Sequence, residues 1–191
     1  MFPLHTVLFP GASLPLHVFE ERYRLLVQER RDFGVVLIRS GREVGAEPEI
    51  HEVGTVAAPE RVEALADGRF NLLARGRSRF RVLSLDHGRP YLQAATEGLP
   101  DPPAAAGPRL LGLLEEYLAL MGARVEGVSA GSDLRLVWLV GAVLQVEPAK
   151  RQRLLESGDA ALAEDLLATE VARLRRLGPV APVPPRPPFP N

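Results

Sequence analysis

The stretch FPLHTVLFPGASLPLHVFEERYRLLV, Phe2–Val27, decides how the rest of the chain is read. Leu4–Phe9 and Leu14–Phe19 are short apolar segments on either side of Pro10–Gly11, a turn dipeptide, and are predicted strands. The pattern then changes period. Phe19, Tyr23, Leu26, Val27 and Arg30 fall at helical spacing, which predicts a helix over Glu20–Arg31. Glu20 and Glu21 open it and Arg30 and Arg31 close it, as the helix dipole favours, while Arg22, Arg24 and Glu29 run against that pattern.

Met1–Phe19 contains no Asp, Glu, Lys or Arg, yet Pro3, Pro10, Gly11 and Pro15 break any helix through it. No basic region precedes it. A folded, strand-forming start is expected rather than a signal peptide or membrane span, and with it a cytoplasmic protein that has no membrane partner.

Downstream, Phe33–Arg39 (FGVVLIR) is an apolar, β-branched strand, followed by a polar loop over Ser40–Pro48 and a longer strand from about His51 to Ala66. Asp67–Gly68 is a hairpin signal leading into Arg69–Arg75, and Arg79–Leu85 turns at Asp86–Gly88 to return as Pro90–Glu97. Short strands in this number, with one helix among them, predict a closed or half-closed barrel. Leu99–Pro108 has linker composition. Helices are expected over Arg109–Met121, from a Ser132 or Asp133 cap to Gln145, from Glu147–Pro148, and from an Asp159 cap to Leu177 before Gly178 and Pro179. The class is therefore α+β, with a barrel lobe over 1–98, a linker over 99–108, a helical lobe over 109–178, and a proline-rich tail over 179–191 expected to be extended or disordered.

Composition narrows the chemistry. The 191 residues carry a formal net charge of -1, so no basic field exists to gather nucleic acid or an anionic membrane. Cysteine is absent, which excludes disulfides, thiolate nucleophiles and cysteine-ligated metals. The four histidines, His5, His17, His51 and His87, show no ligand spacing, so no metal site is expected.

The sole lysine, Lys150, sits between Ala149 and Arg151 in a predicted helix. It supports neither a phosphate-binding loop nor a Ser–Lys dyad. Gly127–Gly131 (GVSAG) matches the G-x-S-x-G elbow of serine hydrolases and raises a hydrolase alternative through Ser129. That elbow needs an acid and then a histidine after the serine, and all four histidines precede Ser129. An inter-helix loop is the preferred reading, and no catalytic residues are assigned.

FPLHTVLFPGASLPLHVFEERYRLLV, FGVVLIRSGREVG at Phe33–Gly45, EVGTVA at Glu52–Ala57, DGRFNLLARGRSRFRV at Asp67–Val82 and WLVGAVLQVEPAKRQRLLESGD at Trp138–Asp159 together resemble the Lon protease N-terminal (substrate-binding) domain family. Two departures stand out: Glu21 where many members have proline, and the proline-rich tail. The resemblance implies a PUA-like β-barrel followed by a C-terminal helical bundle. It further implies a free-standing, non-catalytic, cofactor-free module, tied to protein quality control, that lacks the ATPase and protease domains. Its expected partner is unfolded or extended polypeptide, or another protein.

Within that reading, Leu14–Tyr23 (LPLHVFEERY) is the candidate binding stretch. Pro15 lacks a backbone donor, which suits a sheet edge, and Leu16, His17, Phe19 and Tyr23 are the candidate peptide contacts. Core packing is the competing reading, favoured for Phe19 and Tyr23 taken singly. Arg75, Arg77, Arg79 and Arg81 alternate along RGRSRFR and could line one side of a strand pair as contacts for an anionic ligand. PUA-like barrels include RNA-binding modules, so an RNA-binding protein is the alternative. Aromatic platforms are scarce there, however, and the lobe is neutral, so nucleic acid is not expected.

Overall fold

The computed structural model describes residues 1–29, 31–44, 48–101, 108–123 and 133–177. It divides into two compact units, the first over Met1–Pro100 and the second continuing from Asp101. No described helix is long and apolar enough to cross a membrane.

In the first unit, β1 (Phe2–Leu4), β2 (Ser13–Val18), β3 (Phe33–Ser40), β4 (Glu49–Ala64), β5 (Phe70–Asp86) and β6 (Gln93–Gly98) form one mixed sheet, with helix α1 over Glu21–Gln28. The strand order is β1-β3-β4-β5-β2, with β6 also on β5. β1 runs parallel to β3 and the other pairs are antiparallel. β4 and β5 are long enough to serve two sets of neighbours. β5 pairs with β2 over Phe70–Arg75 and with β6 over Phe80–Asp86. Register shifts at Thr55/Ala57 and Pro59/Arg61 interrupt the β4–β5 ladder.

The expected closure into a barrel is not made by the ladders. Among the described residues no pairing joins β1 to β2, and the sheet stays open at that seam. Proline supplies a physical reason. Pro3 stands opposite Val36 and Pro15 opposite Leu73, each mid-strand in an uninterrupted register. A proline keeps such a place only with its nitrogen turned away from the paired neighbour. Both prolines therefore remove a donor from the open side and weaken any ladder between β1 and β2.

Two further expectations changed. The strand predicted over Leu4–Phe9 ends at Leu4, and Val7, Leu8 and Phe9 are buried outside any strand. Their polar groups bond locally and across the fold: Thr55 Oγ1 donates to the Leu8 carbonyl at 2.6 Å, and the Ala12 amide donates to the Phe9 carbonyl at 3.0 Å. The strands predicted over Arg69–Arg75 and Arg79–Leu85 are one strand, continuous through Gly76. Gly76 exchanges hydrogen bonds with the 10–12 turn, donating to the Ala12 carbonyl (2.9 Å) and accepting from the Gly11 amide (2.8 Å). A β-carbon at Gly76 would collide with the Phe9 carbonyl oxygen.

Helix α1 ends at Gln28, short of the expected Arg31, and buries Tyr23, Leu26 and Val27 as its spacing predicts. These join Phe2, Val18, Phe33, Val35, Ala57, Leu72, Ala74 and Tyr91 in the main core. The predicted Asp67–Gly68 hairpin is present. Gly68 takes φ 80° and its amide donates to the Leu65 carbonyl at 2.9 Å.

The second unit contains α2 (Pro108–Leu120), α3 (Asp133–Val143), α4 (Pro148–Ser157) and α5 (Ala160–Leu177). α2 packs chiefly on α5, Leu110, Leu114 and Tyr117 being buried on one and Ala163, Leu167 and Val171 on the other. The Tyr117 hydroxyl accepts the Gln145 amide at 3.0 Å, and Asp159 Oδ1 accepts the Ala161 amide at 2.8 Å, as its predicted capping role requires. The Gly127–Gly131 motif with Ser129, the middle of the 99–108 linker, and the 179–191 tail lie outside the described residues.

Candidate functional site

At the open seam, β1 and β2 border a cleft of about 200 Å³. Phe2, Pro3 and Leu4 line one side, Pro15–Glu20 and Tyr23 another, and Glu43 and Val44 complete it. Leu16, His17, Phe19 and Tyr23 all line this cleft, so the structure brings the four candidate contacts together. They differ in what they do there.

Tyr23 is 7% exposed, with its ring stacked on Phe2 at 4.4 Å and the Arg22 guanidinium 4.5 Å over its face. Burial pushes its phenol above the ordinary range. Tyr23 is thus core as well as cleft wall. Phe19, by contrast, is 51% exposed. Leu16 is half-buried and packs on the main core from the inward face of β2.

His17 lies on the opposite face of the strand. Its Nδ1 is 2.9 Å from Asn71 Oδ1, and its Nε2 is 3.2 Å from the Arg69 guanidinium. The arrangement fits a neutral ring donating through Nδ1 and accepting at Nε2. Arg69 also pairs with Asp67 at 2.6 Å, and that hydrogen bond holds the Asp67 carboxyl below its ordinary range.

A free backbone edge follows from the same geometry. Pro15 faces its nitrogen outward, and in an antiparallel strand alternate residues face the same way, so the amides of Ser13 and His17 point to the open side. Sequence reasoning missed the other wall, Phe2, Leu4, Glu43 and Val44, because it comes from distant segments. Pro3, placed in β1 as Pro15 is in β2, was the one local signal for it.

The arginine series does not form one face. Arg75 pairs with Glu60 and its Nη1 donates to the Gly11 carbonyl at 2.9 Å. Arg77 lies 3.7 Å from Asp32, and Arg79 is 4% exposed and donates to the Pro100 carbonyl at 2.7 Å. Arg81 is exposed. Among the described residues no cluster of three His, Asp or Glu could hold a metal ion. Lys150 is exposed on the first turn of α4.

A larger cleft, about 320 Å³, opens near Met1, Phe33, Phe80 and Tyr91. Its charged groups are largely matched within the chain. Glu29 accepts Tyr91 (2.6 Å) and Arg89 (3.1 Å), Asp32 faces Arg77, and the Met1 ammonium donates to the Leu92 carbonyl at 2.6 Å. The seam cleft, with its free edge and exposed aromatic ring, is the better candidate.

By architecture and site, this is an α+β protein carrying a cleft on a strand edge that has no ladder partner among the described residues. Residues 1–163 match the family model of the ATP-dependent protease La (LON) substrate-binding domain, and the chain belongs to that family. The Lon protease of Methylocella silvestris is 30% identical over 183 residues, covering 87% of this chain and 23% of its own length. Lon protease 2 of Syntrophobacter fumaroxidans is 25% identical over 173 residues, covering 82% of this chain and 22% of its own length. The chain thus spans less than a quarter of either relative. The Lon N-terminal domain protein from Xanthomonas campestris is 30% identical, with a TM-score of 0.64 over 87% of this chain and 95% of that one. The N-terminal domain of Mycobacterium avium complex Lon protease shares the fold at 16% identity, with a TM-score of 0.57 over 87% of this chain and 93% of that one.

Proposed function

We propose that this chain holds extended polypeptide in the β1/β2 cleft and performs no bond-making or bond-breaking chemistry of its own. A segment of an unfolded or partly folded protein would pair its main chain with the free edge of β2 and lay apolar side chains against Phe19 and Leu16. One observation carries the reading. Two strand edges without ladder partners among the described residues border a single cleft, and the Phe19 ring on its wall is half exposed. Family membership supports it, since the matched domain is described as substrate-binding.

The finer architecture we favour is a PUA-like barrel left half-closed at the β1/β2 seam, followed by a helical bundle. The setting we favour is cytoplasmic protein quality control, with no cofactor or membrane partner. With Arg75 and Arg77 facing acids and Arg79 buried against a backbone carbonyl, the arginine series gives no support to the RNA alternative.

Binding of a chemically unfolded, alkylated protein, of the same protein native, and of a structured RNA tests the reading. Saturable binding of the unfolded chain alone, weakened by Phe19→Asp, is the expected result. Salt-sensitive binding of RNA without binding of the unfolded chain would overturn it.

A further inference from the structure

The β1/β2 cleft carries a charge bias, and the selectivity inferred from that bias rests on reading the cleft as a polypeptide site. Among the described residues neither lysine nor arginine lines it, whereas Glu20 and Glu43 do. The Glu20 side chain is 18% exposed, and its Oε2 lies 2.9 Å from Arg22 Nη2. The same guanidinium donates to the Glu43 backbone carbonyl at 3.1 Å and covers the Tyr23 ring, which holds it against the wall of the cleft. Glu43 Oε1 accepts the neutral amide of His5. One bound cation therefore stands beside two carboxylates, and the charge of one carboxylate is left unbalanced at the mouth.

Beside these acids are Phe19 and Val44, exposed by 51% and 50% and lining the same cleft. An extended guest sets alternate side chains on one face. A bulky apolar residue over Phe19 and Val44, and a cation over Glu20 and Glu43, would therefore come from alternate positions of the guest, two apart at the closest spacing.

We propose that the cleft selects extended segments bearing a large apolar residue and a lysine or arginine two positions away, and disfavours the same segments with an acid there. A partly exposed charge contact adds a modest free energy, so exchanging an attracted lysine for a repelled acid beside the one unbalanced carboxylate gives a preference of about tenfold.

Three short labelled peptides, identical except for Lys, Gln or Glu at that position, test this by fluorescence anisotropy at about 50 mM and about 500 mM salt. The Lys peptide is expected to bind about tenfold tighter than the Glu peptide at low salt, with Gln between them and the ratio shrinking at high salt. Glu43→Gln and, separately, Glu20→Gln should each reduce the ratio, with thermal melts followed by circular dichroism to confirm folding. If Glu20→Gln perturbs the helix start, Glu43→Gln and the salt series still decide. Equal binding of all three peptides, or a ratio that both variants leave unchanged, overturns the selectivity and leaves polypeptide binding standing. Failure of every peptide to bind overturns both.

Discussion

The rings of Phe2 and Tyr23 stack with centroids 4.4 Å apart and planes 25° apart, so the first strand and the first helix share one aromatic contact beneath the seam. Phe33 meets Phe2 edge-on at 4.9 Å and extends the cluster into β3. Removing the Tyr23 ring leaves a cavity that neither neighbour can fill. Tyr23→Ala is therefore expected to cost about 3 kcal/mol in urea unfolding. A loss below about 1 kcal/mol would show that this stack does not hold β1 to α1.

Phe19 lies four residues earlier and behaves differently. Half its surface is already in water, so Phe19→Ala should change stability by no more than about 0.5 kcal/mol. The same change should weaken capture of unfolded polypeptide by about tenfold, as loss of an aromatic anchor does. A large drop in melting temperature for this variant would place the ring in the core instead.

Gly76 offers a test of the crossing between β5 and the 7–12 segment. Its missing β-carbon lets the Phe9 carbonyl pass, and backbone rather than a flexible side chain stands in the way. Gly76→Ala is expected to destabilise by about 2 kcal/mol through overpacking. Gly112→Ala, on α2 with open space around it, should be neutral or slightly stabilising in the same denaturation assay.

The α-amino group of Met1 gives a pH dependence whose sign follows from its burial. Desolvation lowers its pKa from 8.0 to about 6. The folded protein thus binds fewer protons than the unfolded chain between those values, and stability rises with pH across that window. The full contribution is present above pH 8.0 and is lost as the pH falls to about 6, a change of about 3 kcal/mol at most. Chemical denaturation of the 191-residue chain with a free Met1 amine, beside the acetylated form, isolates this part of the slope. The acetylated form should be flatter across the same window. Identical slopes would mean that the amine stays solvated.

The prolines at the seam can be tested by restoring the donors they remove. Pro3→Val with Pro15→Val gives β1 and β2 complete edges, and exposed complete edges pair with one another or with other copies. Concentration-dependent association in sedimentation velocity is expected for the double variant and not for the parent. Monomeric behaviour of both would mean that the prolines do not keep the seam apart.

Local rules made several elements legible without coordinates. The helical spacing of Tyr23, Leu26 and Val27 named the buried face of α1, Asp67–Gly68 named a hairpin, and Asp159 named a helix start. In each, the information lies within a few residues, where backbone preference and side-chain period act. Pro15 likewise marked β2 as an edge and drew attention to Leu16, His17, Phe19 and Tyr23, which do line one cleft.

The sequence by itself thus determined the element types, the α+β class and which strand would be an edge, because propensity, period and the missing proline donor are properties of short segments. Only the tertiary structure decided that the sheet stays open and that Phe2 and Glu43 complete the cleft. It also decided that Phe9 is buried outside a strand, and that Arg79 is buried while Arg75 and Arg77 meet acids. These outcomes depend on which distant backbones meet and where the ladders slip. A register shift of one residue turns a side chain from one face to the other, and no local pattern records it.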